Sequence, residues 1–126
     1  MLTAVNFPDR PPHPAYSQGM EARGASRMLF ISGQVGAGAD GVVPADVGEQ
    51  AKLAIANLNG VLAAAGLSHD NLAKLTIYLT DAAHLQAFYG AAFGALSSPP
   101  PATTLLIVKA LADPALLVEI EAIAVA

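Results

Sequence analysis

Two carboxylates, Glu119 and Glu121, interrupt an otherwise apolar run, Leu117-Val-Glu-Ile-Glu-Ala-Ile-Ala-Val-Ala126. Strand side chains alternate, so both acids project from one face while Val118, Ile120, Ala122 and Ala124 occupy the other. The small apolar set suits packing under helices, which leaves the acids on the opposite, open face. A carboxylate there needs a cation or a ligand. An ion pair with Lys or Arg is the ordinary structural use; positioning or deprotonating a water is the chemical one. Two further segments offer contacts for a ligand. Tyr16 follows Pro8, Pro11, Pro12 and Pro14, so its ring belongs to a stiff extended loop, either as a packed ring or as a wall of a cleft. Ser32-Gly33-Gln34 closes a strand beside a glycine-rich loop, and alone it signals a turn.

Other chemistries are disfavoured. Gly36-x-Gly38-x-x-Gly41 has dinucleotide-binding spacing, but Val42-Val-Pro44 separates it from the next helix start, so no helix N-terminus can meet a pyrophosphate. A mobile surface loop is expected there instead. His13, His69 and His84 lack metal-ligand spacing, the last two are expected at exposed turns, and no cysteine supplies a thiolate. Neither a metal nor a cofactor is expected. The net charge of −4, with only six basic residues, argues against nucleic acid as a partner.

These residues need a scaffold, and the apolar share of 54% supplies the core of one domain spanning 1–126. Strands are expected at Leu2–Phe7, Gln18–Arg23, Arg27–Val35, Leu72–Thr80, Ala102–Leu111 and Leu116–Val125. Asp46 caps a helix with Leu53, Ile55, Leu58, Val61 and Leu62 on its apolar side, ended by Gly66; Asp81 caps a second helix reaching about Leu96. The order β-β-β-α-β-α-β-β predicts an α+β fold, two helices on one face of a sheet. Charged residues make up 13%, too few to solvate a second, open face, so that face is expected to be covered by other subunits. No apolar run reaches the ~20 residues that span a bilayer. The opening residues carry no signal-peptide pattern, so the expected location is cytoplasmic, away from membranes.

Taken jointly, several segments resemble the Rid (RidA/YjgF) family of imine and enamine deaminases. They are Pro14-Ala-Tyr-Ser-Gln18, Ile31-Ser-Gly-Gln34, Gln50, Val61-Leu-Ala-Ala-Ala-Gly66, Lys74-Leu-Thr-Ile-Tyr-Leu-Thr-Asp81, Pro101-Ala102 and Val118-Glu-Ile-Glu-Ala-Ile-Ala124. The resemblance implies a chorismate-mutase-like homotrimer with a small-molecule cleft at each subunit interface and no cofactor. It implies that Glu119 is the catalytic acid–base and that Tyr16, Ser32 and Gly33 line the cleft. Glu121 is then expected to serve the subunit interface.

One departure limits the likeness. Active members carry arginine after Pro-Ala to grip the substrate carboxylate through paired hydrogen bonds; here that residue is Thr103. Losing that fork would cost about 2–5 kcal/mol of substrate binding. The family's second-helix asparagine is matched by Tyr89. Lys109 lies six residues along the expected strand, ~20 Å away, and is no replacement. The resemblance therefore implies a hydrolase adding water to an imine other than the usual amino-acid-derived ones. The competing reading is a non-catalytic small-molecule-binding or regulatory trimer.

Overall fold

Asp46 sets the register of the longest helix: its carboxylate accepts the Glu49 amide at 3.0 Å in the computed structural model, which describes residues 1–95 and 97–126. The helix, α1, covers Val47–Ala64 and ends where Gly66 takes a positive φ of 72° and the Leu67 amide reaches back to Leu62. Its buried stripe runs Val47, Ala51, Ala54, Leu58 and Leu62. Leu53, Ile55 and Val61, expected in the stripe, flank it half-buried. Alanines at 51 and 54 let the helix approach the sheet closely, which the larger side chains would prevent.

Among the described residues, six strands form two sheets. The short hairpin pairs β1 (Leu2–Val5) with β2 (Gly19–Ala22). The main sheet has the order β3-β6-β4-β5, with β3 Met28–Val35, β4 Leu72–Leu79, β5 Ala102–Ile107 and β6 Val118–Val125. β4 and β5 are parallel, joined across the helix α2 (Leu85–Ala92); the other neighbours are antiparallel. This is the expected α+β fold, with corrections to its extents: the first strand stops at Val5, and Asp81 caps a 3-10 turn, Ala82–His84, so that α2 begins only at Leu85. The second helix stops at Ala92, because Phe93 turns extended and Gly94 adopts a φ of 76°; Leu96, its expected end, lies outside the described residues. The fifth strand stops at Ile107, so Lys109 lies beyond it.

Ile31, Leu75, Ile77, Leu79, Val118, Ile120, Ala122 and Ala124 turn toward the helices and are buried. The opposite face stays open, with Phe30 71% and Met28 58% exposed. The glycine loop, expected to be mobile, is a hydrogen-bonded turn: Gly41 (φ 81°) donates to Gly38, Gly38 donates to Val42, and the Asn57 amide holds the carbonyls of Val35 and Ala37.

Gln50 lies within the buried stripe of α1. Its Nε2 donates to Pro44 O (2.8 Å) and Ala115 O (3.0 Å), and its Oε1 accepts the Leu117 amide (2.9 Å). Gly36 packs so closely that a Cβ there would stand 2.4–2.7 Å from Gln50 Cβ, Cα and O. Gln50→Leu keeps the bulk but orphans three backbone groups. It should lower the unfolding free energy by about 2–4 kcal/mol in denaturant titrations, against under 1 kcal/mol for the exposed Gln86→Leu.

Candidate functional site

The six residues singled out from the sequence fall into two groups on opposite faces of the main sheet. On the open face, the β3–β6 register slips by one residue between Ile31 and Gln34, so Ser32 and Gly33 together stand opposite Glu121. This is a β-bulge, a device that re-aims neighbouring side chains. Glu119 lies against it: a Cβ at position 33 would meet Glu119 Oε1 at 2.1 Å and Cδ at 2.6 Å. Glycine at 33 is what leaves room for the carboxylate. Ser32 beside it is exposed.

The two glutamates are used differently. Glu121 accepts a short hydrogen bond from the Tyr78 hydroxyl on β4, and neither acid forms an ion pair among the described residues. Within the chain, the partner of Glu121 is a phenol rather than a Lys or Arg side chain. Glu119 accepts no hydrogen bond from any described residue, although Tyr78 faces it across the ladder. Donation to Glu121 raises the Tyr78 pKa above its ordinary value, helped by desolvation and by the negative charges of Glu121 and Glu119.

The second group lies toward the helices. Thr103, in register with buried Leu75, turns to that side, and its hydroxyl donates to Pro101 O at 3.0 Å. Tyr16 is carried there by a staple between two proline-rich segments. The Ser17 hydroxyl donates to Pro100 O (2.5 Å), its amide donates to Pro101 O (3.2 Å), and Ser17 bridges Ala102. His13 stacks on the Tyr16 ring, centroids 4.3 Å apart and planes 21° from parallel. Tyr16, Thr103 and Tyr89 line a cavity of about 560 Å³ between the sheet, α1 and α2. His84 is half-buried rather than exposed, with an Nδ1 atom that has no hydrogen-bond partner among the described residues.

Sequence reasoning missed the Ser17 staple, the Tyr78–Glu121 pair and the cavity. A signal for the first existed in the two proline clusters, which stiffen both partners. The second could have been read from alternation, since Tyr78 and Glu121 both fall on the open side of their strands.

The Endoribonuclease L-PSP family model matches residues 7–126. Among solved structures, a Rid-family protein of unknown function, YyfB from Yersinia pestis, shares 32% identity at a TM-score of 0.85, covering 99% of this chain and 98% of that one. Escherichia coli TdcF, solved with bound serine, shares 29% identity at a TM-score of 0.71, covering 98% of each chain. By sequence, TdcF of E. coli (strain K12), a protein named for reactive intermediate deamination, is 39% identical over 67 residues, 52% of this chain. In that pairing the chain spans about half the length of its curated relative. Protein DfrA of Myxococcus xanthus is 38% identical over 115 residues, covering 87% of this chain and 84% of that protein.

The Tyr78–Glu121 contact gives a pH signature. Because the fold raises the phenol pKa, it favours the neutral form. The stabilisation is whole below the unfolded value near 10 and is lost as pH rises through the folded value. Tyrosine absorbance near 295 nm should show one phenol ionising above pH 10, and Glu121→Gln should bring that midpoint down toward 10.

Proposed function

The chain belongs to the Rid family (Endoribonuclease L-PSP, YjgF-like), and from that premise we propose that it hydrolyses a reactive imine or enamine through Glu119. The observation that carries this reading is the Glu119 carboxylate, seated against Gly33 at a bulge and left without a partner, while the neighbouring Glu121 is occupied by Tyr78. A free carboxylate can take a proton from water as the water oxygen bonds to the imine carbon. The C=N electron pair then moves to nitrogen, which is protonated. Collapse of the tetrahedral adduct expels ammonia and leaves a carbonyl.

The site is composite in this reading. Glu119, Ser32 and Gly33 lie on one sheet face, and Tyr16, Thr103 and Tyr89 on the other side, so one chain cannot close them around one ligand. A second copy laid on the open face would bring its Tyr16 side to Glu119 and cover Phe30 and Met28. A homotrimer with three such clefts accommodates this. The fold without a membrane-crossing helix among the described residues, the acidic net charge and the site chemistry favour small molecules over nucleic acid or lipid as partners. The absence of a cationic anchor at Thr103 points away from amino-acid-derived imines.

Light scattering should return about three times the 12.8 kDa chain mass. A stable monomer would sink the composite site. Once a turned-over imine is found, Glu119→Gln should lower kcat by ~100-fold or more with the assembly unchanged. Normal turnover by that variant would assign the chemistry elsewhere. Wild-type turnover of 2-iminopropionate should be poor, and Thr103→Arg should raise it.

A further inference from the structure

We propose that the non-reacting part of the ligand is an uncharged, mainly hydrocarbon group with the dimensions of a substituted benzene ring, seated in the cavity between α1, α2 and the sheet. The inference rests on the proposed function for the identity of the reacting bond and for the second copy whose Glu119 would meet a ligand seated here. Its basis is the cavity. At about 560 Å³ it falls within the size range of small-molecule sites. Its floor reaches the core: Leu58, Ile77, Phe88 and Ile120 are all at most 5% exposed. Among the described residues that line it, none carries a Lys, Arg, His, Asp or Glu side chain. Its polar groups are hydroxyls and the Asn59 amide, and the Thr103 hydroxyl already donates to Pro101 O.

The consequences for a ligand follow from solvation. A carboxylate entering this space gives up its water and meets no cation, so an anionic substrate is rejected. An apolar cavity of this kind accepts aromatic guests with little competition from water. Four rings on its walls, Tyr16, Phe88, Tyr89 and Phe93, favour a flat partner through edge and offset stacking. Three of them already have a ring partner without a ligand. His13 covers one face of Tyr16, and Phe88 and Tyr89 meet edge-on, 5.7 Å apart at 69°. The same wall therefore selects for shape as well as for charge.

Three stable probes test this on the 126-residue chain by calorimetry or ligand-observed NMR. Acetophenone presents a neutral ring and carbonyl, benzoylformate replaces the methyl on that carbonyl by a carboxylate, and pyruvate keeps the carboxylate without the ring. Acetophenone should bind at least tenfold more tightly than benzoylformate, with pyruvate weakest. Ile55→Phe, which fills the cavity from α1, should weaken acetophenone at least tenfold while circular dichroism and assembly stay intact. Ala92→Leu fills it from α2 and serves if the first variant misfolds. Thr103→Arg should narrow or reverse the preference for acetophenone over benzoylformate. Equal or tighter binding of benzoylformate, acetophenone binding that ignores both filling variants, or no acetophenone binding up to its solubility limit would each overturn the inference. If acetophenone behaves as described and no imine is hydrolysed, the ligand class stands and the hydrolase reading alone fails.

Discussion

A single buried amide organises the geometry that matters. Gln50 bonds backbone groups at Pro44, just before α1, and at Ala115 and Leu117, just before β6. It therefore locks the start of the helix to the start of the strand that carries Glu119. Gly36, packed against Gln50, brings the end of β3 into the same knot, and Asn57 fastens the two carbonyls on either side of it. The Ser32–Gly33 bulge lies just upstream on β3. Thus the carboxylate and the glycine that makes room for it are referenced to one fully satisfied side chain in the core, where an unsatisfied one would be costly.

The two sides of the sheet share no such knot. The Tyr16 loop is fixed by Ser17 to Pro100 and Pro101, on the β5 edge, far along the strand order from β3. Proline on both sides of that contact limits what either segment loses on ordering, so two hydrogen bonds suffice to hold a loop that has few others. The ring on that side is thus held before any ligand arrives, whereas the Glu119 carboxylate on the other accepts no hydrogen bond from a described residue.

Much of this was legible in the residues. Strict alternation in β6 correctly separated the two acids from the buried Val118, Ile120, Ala122 and Ala124, and Asp46 and Gly66 marked the ends of α1, whereas Asp81 caps only the 3-10 turn Ala82–His84 that precedes α2. What alternation could not supply was the cross-strand neighbour. Whether Glu121 meets an ammonium or the Tyr78 phenol depends on register between strands more than 40 residues apart, set by the whole sheet. The β3 bulge was equally hidden, because Ser-Gly-Gln is compatible with an ordinary turn. Gln50 did leave a trace: a lone amide inside an apolar helical stripe must find partners, and its spacing from Val47 and Ala54 puts it there. The length of α2 was overestimated since Gly94, four residues from Gly90, acts as a stop only in the left-handed conformation it adopts.

The space at position 33 and the acid at position 119 constitute one degree of freedom. Any β-carbon at 33 would coincide with the carboxylate, so a side chain there can appear only in a chain whose residue 119 is shorter or turned away. The reverse step is easier, since a truncated 119 leaves glycine merely unneeded. Drift away from this chemistry therefore has a preferred order: the acid goes first and the glycine afterwards. A relative that retains glycine without the acid would record an intermediate stage, whereas the opposite pairing would require the carboxylate to swing out of the space beside the bulge.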